Sequence, residues 1–409
     1  MQTSKQNQQG INISLILTVL IIFNLSLAAQ DENSPGWRGP QGNGFFHVEK
    51  WTPASLDKIP DIVWQKEAGY GYSSVSVQEG CLYTLGNVAG EDVVYCLDVN
   101  NGKEIWSYKY ASKPGEYRGP YATPAIDGNR VYTISKAGVL ICFNRLNGKI
   151  LWQKALKQIT GAKAPQWGIA GSPVIDGDKL ILNELSWGLA LDKKNGGIRW
   201  QSRKGTGGYA TPVLYTDGRK RYAAIFGCSA LFGVDAETGK KLWEYPWKPF
   251  VLVNAADPVV VGNRFFISSD YGKGCALIEV NNNKPQELWK NKLFSSHFNS
   301  FIYLDGYIYG NDGEAKSGRG IYRCVELNTG KETWNKKLGL GSLIAINNHL
   351  VLLTARGDLH VIKATPSAYT EVSSCKISGG TYWTTPVAAN GKLFCRSTRG
   401  TLVSINITD

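Results

Sequence analysis

Aromatic and polar residues able to hold a ligand occur in this chain at regular intervals. Tyr70 and Tyr72, the run from Tyr117 to Tyr121 with Arg118, Gln166 and Trp167, Tyr209, Asn254 with Asp257, His297 to Asn299, and Tyr382 with Trp383 each precede a short apolar segment. Phenol and indole rings offer flat apolar faces, and a few hydroxyls, amides and carboxylates among them would fix an orientation. Gathered at one mouth, such a set suits a flat ligand or a sugar ring. Other chemistries are excluded. The four histidines, His47, His297, His349 and His360, are scattered, and there is no His-Glu-x-x-His, Gly-x-Ser-x-Gly or phosphate loop. Gly205-Thr206-Gly207-Gly208-Tyr209-Ala210 imitates a dinucleotide fingerprint, but it leads into a strand pattern instead of a helix.

The elements that must position these residues are strands. Apolar runs of four to seven residues recur throughout, with no sustained helical period. One unit repeats from about residue 73. A small residue and an apolar strand lead to a tight turn, a second strand, a Gly-containing turn, and a third strand ending in Asp, Asn or Glu. A turn of the form x-x-(Thr/Asn)-Gly-Lys follows, and then tryptophan. The sharpest copies run Asp98 to Lys103, Asn144 to Lys149, Asp192 to Gly197, Asp235 to Lys240, Glu279 to Lys284 and Glu326 to Lys331. Their tryptophans are Trp106, Trp152, Trp200, Trp243, Trp289 and Trp334. Asp or Asn accepts main-chain amides in such a turn, Gly takes a positive φ, and Trp packs between neighbouring sheets.

First turns such as Asp127-Gly128, Asp176-Gly177, Asp305-Gly306 and Asn390-Gly391 count eight innermost strands. The expected fold is all-β, an eight-bladed β-propeller of four-stranded antiparallel blades over residues 61–409. The last unit has only three strands. Ile62-Val63-Trp64 copies the tryptophan strand, so residues 61–65 are expected to close the last blade. The seventh blade lacks its tryptophan. Fourth-to-first connections and second-to-third turns then share one mouth of the ring, where the ligand-holding residues collect.

This pattern resembles the pyrroloquinoline-quinone (PQQ)-like repeat of the quinoprotein alcohol dehydrogenase-like superfamily. The segment Trp37-Arg38-Gly39-Pro40-Gln41-Gly42-Asn43-Gly44 is similar to the post-signal arm of secreted bacterial members, so residues 29–60 are expected to form an extended arm docked on the ring. In the superfamily's dehydrogenases PQQ lies in the central pit beside a calcium ion, and an Asp acts as base. The resemblance implies Asn254, Asp257 and Asn299 as the calcium ligands and Asp257 as that base. The chain departs from those enzymes in three ways: its closest cysteines are fifteen apart, it is short, and it has no Cys-x-x-Cys-His haem site. The superfamily also holds a scaffold lipoprotein of the outer-membrane β-barrel assembly machinery, similar in size and blade number.

The first residues read as an export signal, 1–28, with an apolar run from Ile13 to Leu27 and small residues near Ala28. A periplasmic or extracellular location follows, without a transmembrane span. No cysteine precedes Cys81, so no lipid anchor is expected. The net charge is +12 with Lys and Arg scattered, which reads as a solvated basic surface and not as a nucleic-acid site. Cys96, Cys142 and Cys324 share a small-residue position on different blades. Cys81 opposite Cys96 in one blade, and Cys375 meeting Cys395, are the two pairings open to a disulfide. The leading expectation is an exported, monomeric binding scaffold with a protein, glycan or small-molecule site at the loop-face mouth. The alternatives are a PQQ- and calcium-dependent dehydrogenase and a glycan-binding module. The residues expected at the mouth are Tyr72, Arg118, Tyr121, Gln166, Trp167, Tyr209, Asn254, Asp257, Asn299, Tyr382 and Trp383. Trp64 and the six repeat tryptophans are expected to be structural.

Overall fold

Two-residue turns set the strand spacing. Glu79–Gly80, Asp305–Gly306 and Asn390–Gly391 have positive φ at both corner residues, the mirror-image geometry that matches the twist of paired strands. The computed structural model describes residues 33–112, 116–377 and 379–408. The expected export signal lies outside them.

Eight antiparallel sheets form the eight blades. Their inner strands are Ser76–Gln78, Ala125–Asp127, Val174–Asp176, Val213–Asp217, Val259–Val261, Ile302–Leu304, Gly341–Ile346 and Val387–Ala389, taken here as blades 1 to 8. The fourth strand of blade 8 is Ile62–Glu67, antiparallel to Thr401–Asn406 with Trp64 opposite Ser404. This seals the ring between the two ends of the chain and leaves no open edge there. A five-residue α-helix, Leu156–Thr160, lies in the blade 2 to 3 connection, where the sequence pattern gave no helical signal. Among the described residues no helix is long and apolar enough to cross a membrane.

The cores lie between blades, and tryptophan dictates how they meet. Trp64, Trp106, Trp152, Trp200, Trp289 and Trp334 donate their indole N–H to main-chain oxygens of the next blade, at Val99, Arg145, Lys193, Ala236, Leu327 and Thr365. Trp243 instead meets Phe265 edge-on, with centroids 4.8 Å apart. The turn glycine is chosen twice over. Gly102 has φ 67° and lies under Trp64, where a Cβ would come within 2.7 Å of the ring.

Blade 7 solves its missing tryptophan differently. Ser373 holds the register position, opposite Val361 beside the bulge, that Trp334 holds opposite Cys324 in blade 6. The N-terminal arm fills the gap. Its 3-10 turn, Pro53–Leu56, packs on the last two strands of blade 7 and buries Leu56 completely. Ser373 Oγ donates to the Pro53 carbonyl. The Thr52 N–H reaches the Ile407 carbonyl at 3.4 Å, and Ile407 follows Asn406 as Val99 follows Asp98. The acceptor used by an indole at six of the other seams is thus taken by the arm's backbone.

Upstream, the arm runs inside the ring. Ser34 pairs with Val77, the Ile126 N–H donates to Pro35, and Phe45–Phe46 adds parallel to the inner strand of blade 7.

The cysteine pairings are corrected by register. Cys81 faces Asp98 and Cys96 faces Tyr83, while Cys375 faces Leu359 and Cys395 faces Val403. All eight cysteines are free thiols.

Among the described residues one buried acid, Glu184, has no charged partner at ion-pair distance, and burial alone shifts it. Glu184, in the second-to-third turn of blade 3, is 6% exposed, and burial pushes its carboxyl up to about 8. Its folded-state pKa is raised, so the folded chain keeps a proton that the unfolded chain releases above pH 4.5. Stability therefore falls as pH rises from about 4.5 to 8. Glu184→Gln should match the wild type near pH 4 and exceed it by on the order of 2–3 kcal/mol at pH 7. Denaturant melts at the two pH values check this, and an equal gap at both would refute it.

Candidate functional site

The loop-face mouth is built on a ring of small polar residues at the start of the inner strands. The Ser74 N–H donates to Thr123 Oγ1, Thr123 to Ser172 Oγ, Ser172 to Thr211 Oγ1, Thr211 to Asp257 Oδ1, and Asp257 to Ser300 Oγ, all at 2.8–3.1 Å. These bonds staple blades 1 to 6 in succession. Asp257 is the member whose acceptor is a carboxylate, where the others have a hydroxyl.

The second oxygen of Asp257 explains that choice. Oδ2 accepts the Trp37 indole N–H at 2.6 Å and the Ser300 hydroxyl at 3.0 Å, with Arg38 Nη1 at 4.0 Å. Both side chains of the Arg38–Asp257 pair are 3% exposed. Arg38 also donates to the carbonyls of Phe301 and Asn43. Burial pushes the Asp257 carboxyl up and the Arg38 guanidinium down, and each opposes the shift of the other. The arm is thus pinned to the ring by a buried ion pair whose hydrogen bonds are filled.

Above this pair lies a bowl of about 210 Å³. Trp37 and Asp257 contribute to its lining, as do Tyr72, Tyr117, Tyr121, Trp167, Tyr209, Tyr271, His297, Phe298 and Trp383, with Ser172, Thr211, Thr384 and Thr385 as hydroxyl donors. Tyr72 stacks on Trp383 at 5.9 Å and 27°, and Phe298 leans on Trp383 at 5.5 Å. Trp167 and Tyr209 lie 6.0 Å apart. Burial, and then Tyr117, push the Tyr72 phenol up to about 12, so it stays a neutral donor at physiological pH. On one side His297 Nδ1 lies 3.5 Å from Asp270 Oδ2, and its Nε2 lies 3.4 Å from the Tyr271 hydroxyl. Burial lowers His297 to about 4 and raises Asp270 to about 6. The bowl is aromatic, weakly polar, and floored by a satisfied acid.

Of the residues expected at the mouth, Tyr72, Tyr121, Trp167, Tyr209, Asp257 and Trp383 line the bowl. Five do not. Arg118 turns away to Asn87 Oδ1 and lies 4.7 Å over the Tyr70 ring. Gln166 leaves the lining to its neighbour Trp167. Asn254 is fully buried, donating to the carbonyls of Gly227 and Trp247 and accepting from Ser269. Asn299 is 1% exposed and outside the lining. Tyr382 is buried in the core shared by blades 7, 8 and 1. Its neighbour Trp383, one residue on in the same connection, is the one that faces the bowl. Trp37 and Tyr271 were missed. Tyr271 sits in a second-to-third turn, in Asp270-Tyr271-Gly272, and an aromatic beside a turn glycine on the mouth side was its available signal. Nothing in the arm's sequence marked Trp37 as floor.

The set Asn254, Asp257 and Asn299 does not fit a calcium ion. Asp257 already has a cation, Arg38, and three hydrogen-bond donors. The Asn254 oxygen is taken by Ser269, and only Asp257 of the three reaches the bowl. The same contacts hold Asp257 beside the Arg38 guanidinium and in three hydrogen bonds to the protein.

Residues 89–336 match the family described as outer membrane protein assembly factor BamB. The outer membrane protein assembly factor BamB of Yersinia pestis is 24% identical over 385 residues, covering 86% of this chain and 91% of that one. The crystal structure of BamB from Moraxella catarrhalis superposes with a TM-score of 0.62 at 18% identity, over 85% of this chain and 98% of the other. Quinohemoprotein alcohol dehydrogenase from Comamonas testosteroni gives a TM-score of 0.68 at 12% identity, over 94% and 82%. Both structural likenesses speak to the propeller fold.

Proposed function

The chain belongs to the family of outer membrane protein assembly factor BamB, and from that premise we propose that it is an exported scaffold in outer-membrane protein assembly, holding a protein partner at its loop-face mouth. It acts as a monomer in the periplasm. The observation that carries this reading is the saturated floor. Asp257, the acid at the floor, is engaged by Arg38, Trp37, Thr211 and Ser300, while the bowl above offers aromatic contact area and hydroxyls. Stacked aromatics held rigid by their neighbours are the residue types that dominate binding hot spots. An aromatic side chain of the partner would fit the bowl, with Tyr72 and Trp383 as one wall and Trp167 and Tyr209 as the other.

The test is a photo-crosslinker placed at Tyr117, on the bowl's rim, in cells. Recovery of an envelope protein supports the reading, and a rim that captures nothing refutes it. Trp383→Ala and Tyr72→Ala should each weaken the captured complex by roughly thirtyfold, the scale of a hot-spot truncation, with a cooperative melting transition retained. A second reading, a glycan module, is favoured by the Tyr72–Trp383 stack beside Thr384 and Thr385. A glycan array separates the two, since only a glycan module would bind immobilised sugar.

A further inference from the structure

The connection between blades 4 and 5 carries a feature that the bowl does not use. Pro249 to Leu252 form a tight turn closed by the Leu252 N–H on the Pro249 carbonyl at 3.3 Å. Phe250 and Val251 are its corner residues. Pro249 is buried, yet Phe250 is 92% exposed and Leu252 is 39% exposed with φ 57°. An L-residue in that region is strained, and the conformation holds the apolar tip outward.

Lysines surround the foot of the turn. Lys248 precedes it and is exposed. Lys273 and Lys290 lie over the ring of Trp247 at 4.8 and 5.2 Å, and Lys292 donates to the carbonyls of Gly272 and Lys273. Among the described residues none of the four has a carboxylate within ion-pair distance. The nearby acids are engaged elsewhere, Glu244 by Lys241 and Glu287 by the Tyr245 hydroxyl. Burial, and then crowding by Lys290 and Lys292, lower the Lys273 ammonium, so this corner gathers positive charge without local compensation. Tyr271, 42% exposed, stands beside it with an amphipathic ring.

We propose that the Phe250–Val251 turn and its collar of Lys248, Lys273, Lys290 and Lys292 form a docking point for an anionic lipid surface. A convex apolar tip has no pocket to offer a protein side chain, whereas it can enter the headgroup boundary while the ammonium groups meet lipid phosphates. Charge complementarity decides the occupant, because four uncompensated lysines select an anionic surface over a neutral one. The proposal stands apart from the partner reading and puts the mouth of the bowl at the membrane surface.

The test is co-sedimentation of the exported chain with phosphatidylglycerol-containing vesicles and with pure phosphatidylcholine vesicles. Binding is expected to the anionic vesicles alone and to weaken with salt. Lys248→Gln and Lys290→Gln should each reduce partitioning about fivefold. The double change Phe250→Ser with Val251→Ser should reduce it roughly tenfold or more. The turn is exposed, so an unchanged melting curve verifies folding. Failure of the wild type to bind anionic vesicles overturns the proposal. So does undiminished binding by the Phe250→Ser, Val251→Ser chain. Loss of a protein partner by that chain, with vesicle binding intact, would assign the turn to a protein and also overturn it.

Discussion

Replacing Arg38 by alanine is expected to lower stability by about 3–5 kcal/mol, the cost of leaving one half of a buried ion pair without the other. Asp257 would keep Trp37, Thr211 and Ser300 but lose the cation beside it, in a site 3% exposed. The ring gives the compensating change. Thr123, Ser172, Thr211 and Ser300 do with a hydroxyl what Asp257 does with Oδ1. Asp257→Ser alone should also destabilise, by stranding the guanidinium. Arg38→Met combined with Asp257→Ser should recover most of the loss, since neither charge then remains. Urea denaturation of the wild type, Arg38→Met, Asp257→Ser and the double variant completes a double-mutant cycle. Simple additivity of the two losses would show that the pair is not coupled.

Leu56→Ala should cost about 2–5 kcal/mol, the range for emptying a fully buried leucine site. The effect should exceed that of an ordinary core position because Leu56 stands in a seam with no indole of its own. Deleting the arm through Lys58 removes this side chain, the Thr52 bond to Ile407 and the Arg38 anchor together. That chain should fail to give a cooperative melt. A truncated chain with a wild-type transition would remove the arm from the list of structural parts.

The propeller was legible because its signals are local and repeated. An Asp, Asn or Glu, a turn glycine and a tryptophan eight residues on announce the same corner at five positions, and the blade count needs no long-range knowledge. The closing strand was legible for the same reason, since Ile62-Val63-Trp64 copies a repeat element. The site was half legible. Trp167, Tyr209 and Trp383 precede inner strands and line the bowl, but Tyr382 differs from Trp383 by one residue and points into the core. Asp257 was marked by the family resemblance, as a calcium ligand and base, whereas in the structure it pairs with Arg38, 219 positions away. No local pattern encodes that meeting. The missing tryptophan of blade 7 was visible as an absence, while its replacement by Leu56 depends on a segment distant in sequence.

Trp37 touches both worlds. Its indole is bonded to the ring through Asp257, and its ring surface faces whatever enters the bowl. A ligand that rests on Trp37 therefore gains affinity from the docked arm, and by thermodynamic reciprocity steadies that arm against release. Docking of the arm and occupancy of the mouth are then two handles on one equilibrium, so weakening the first should loosen the second.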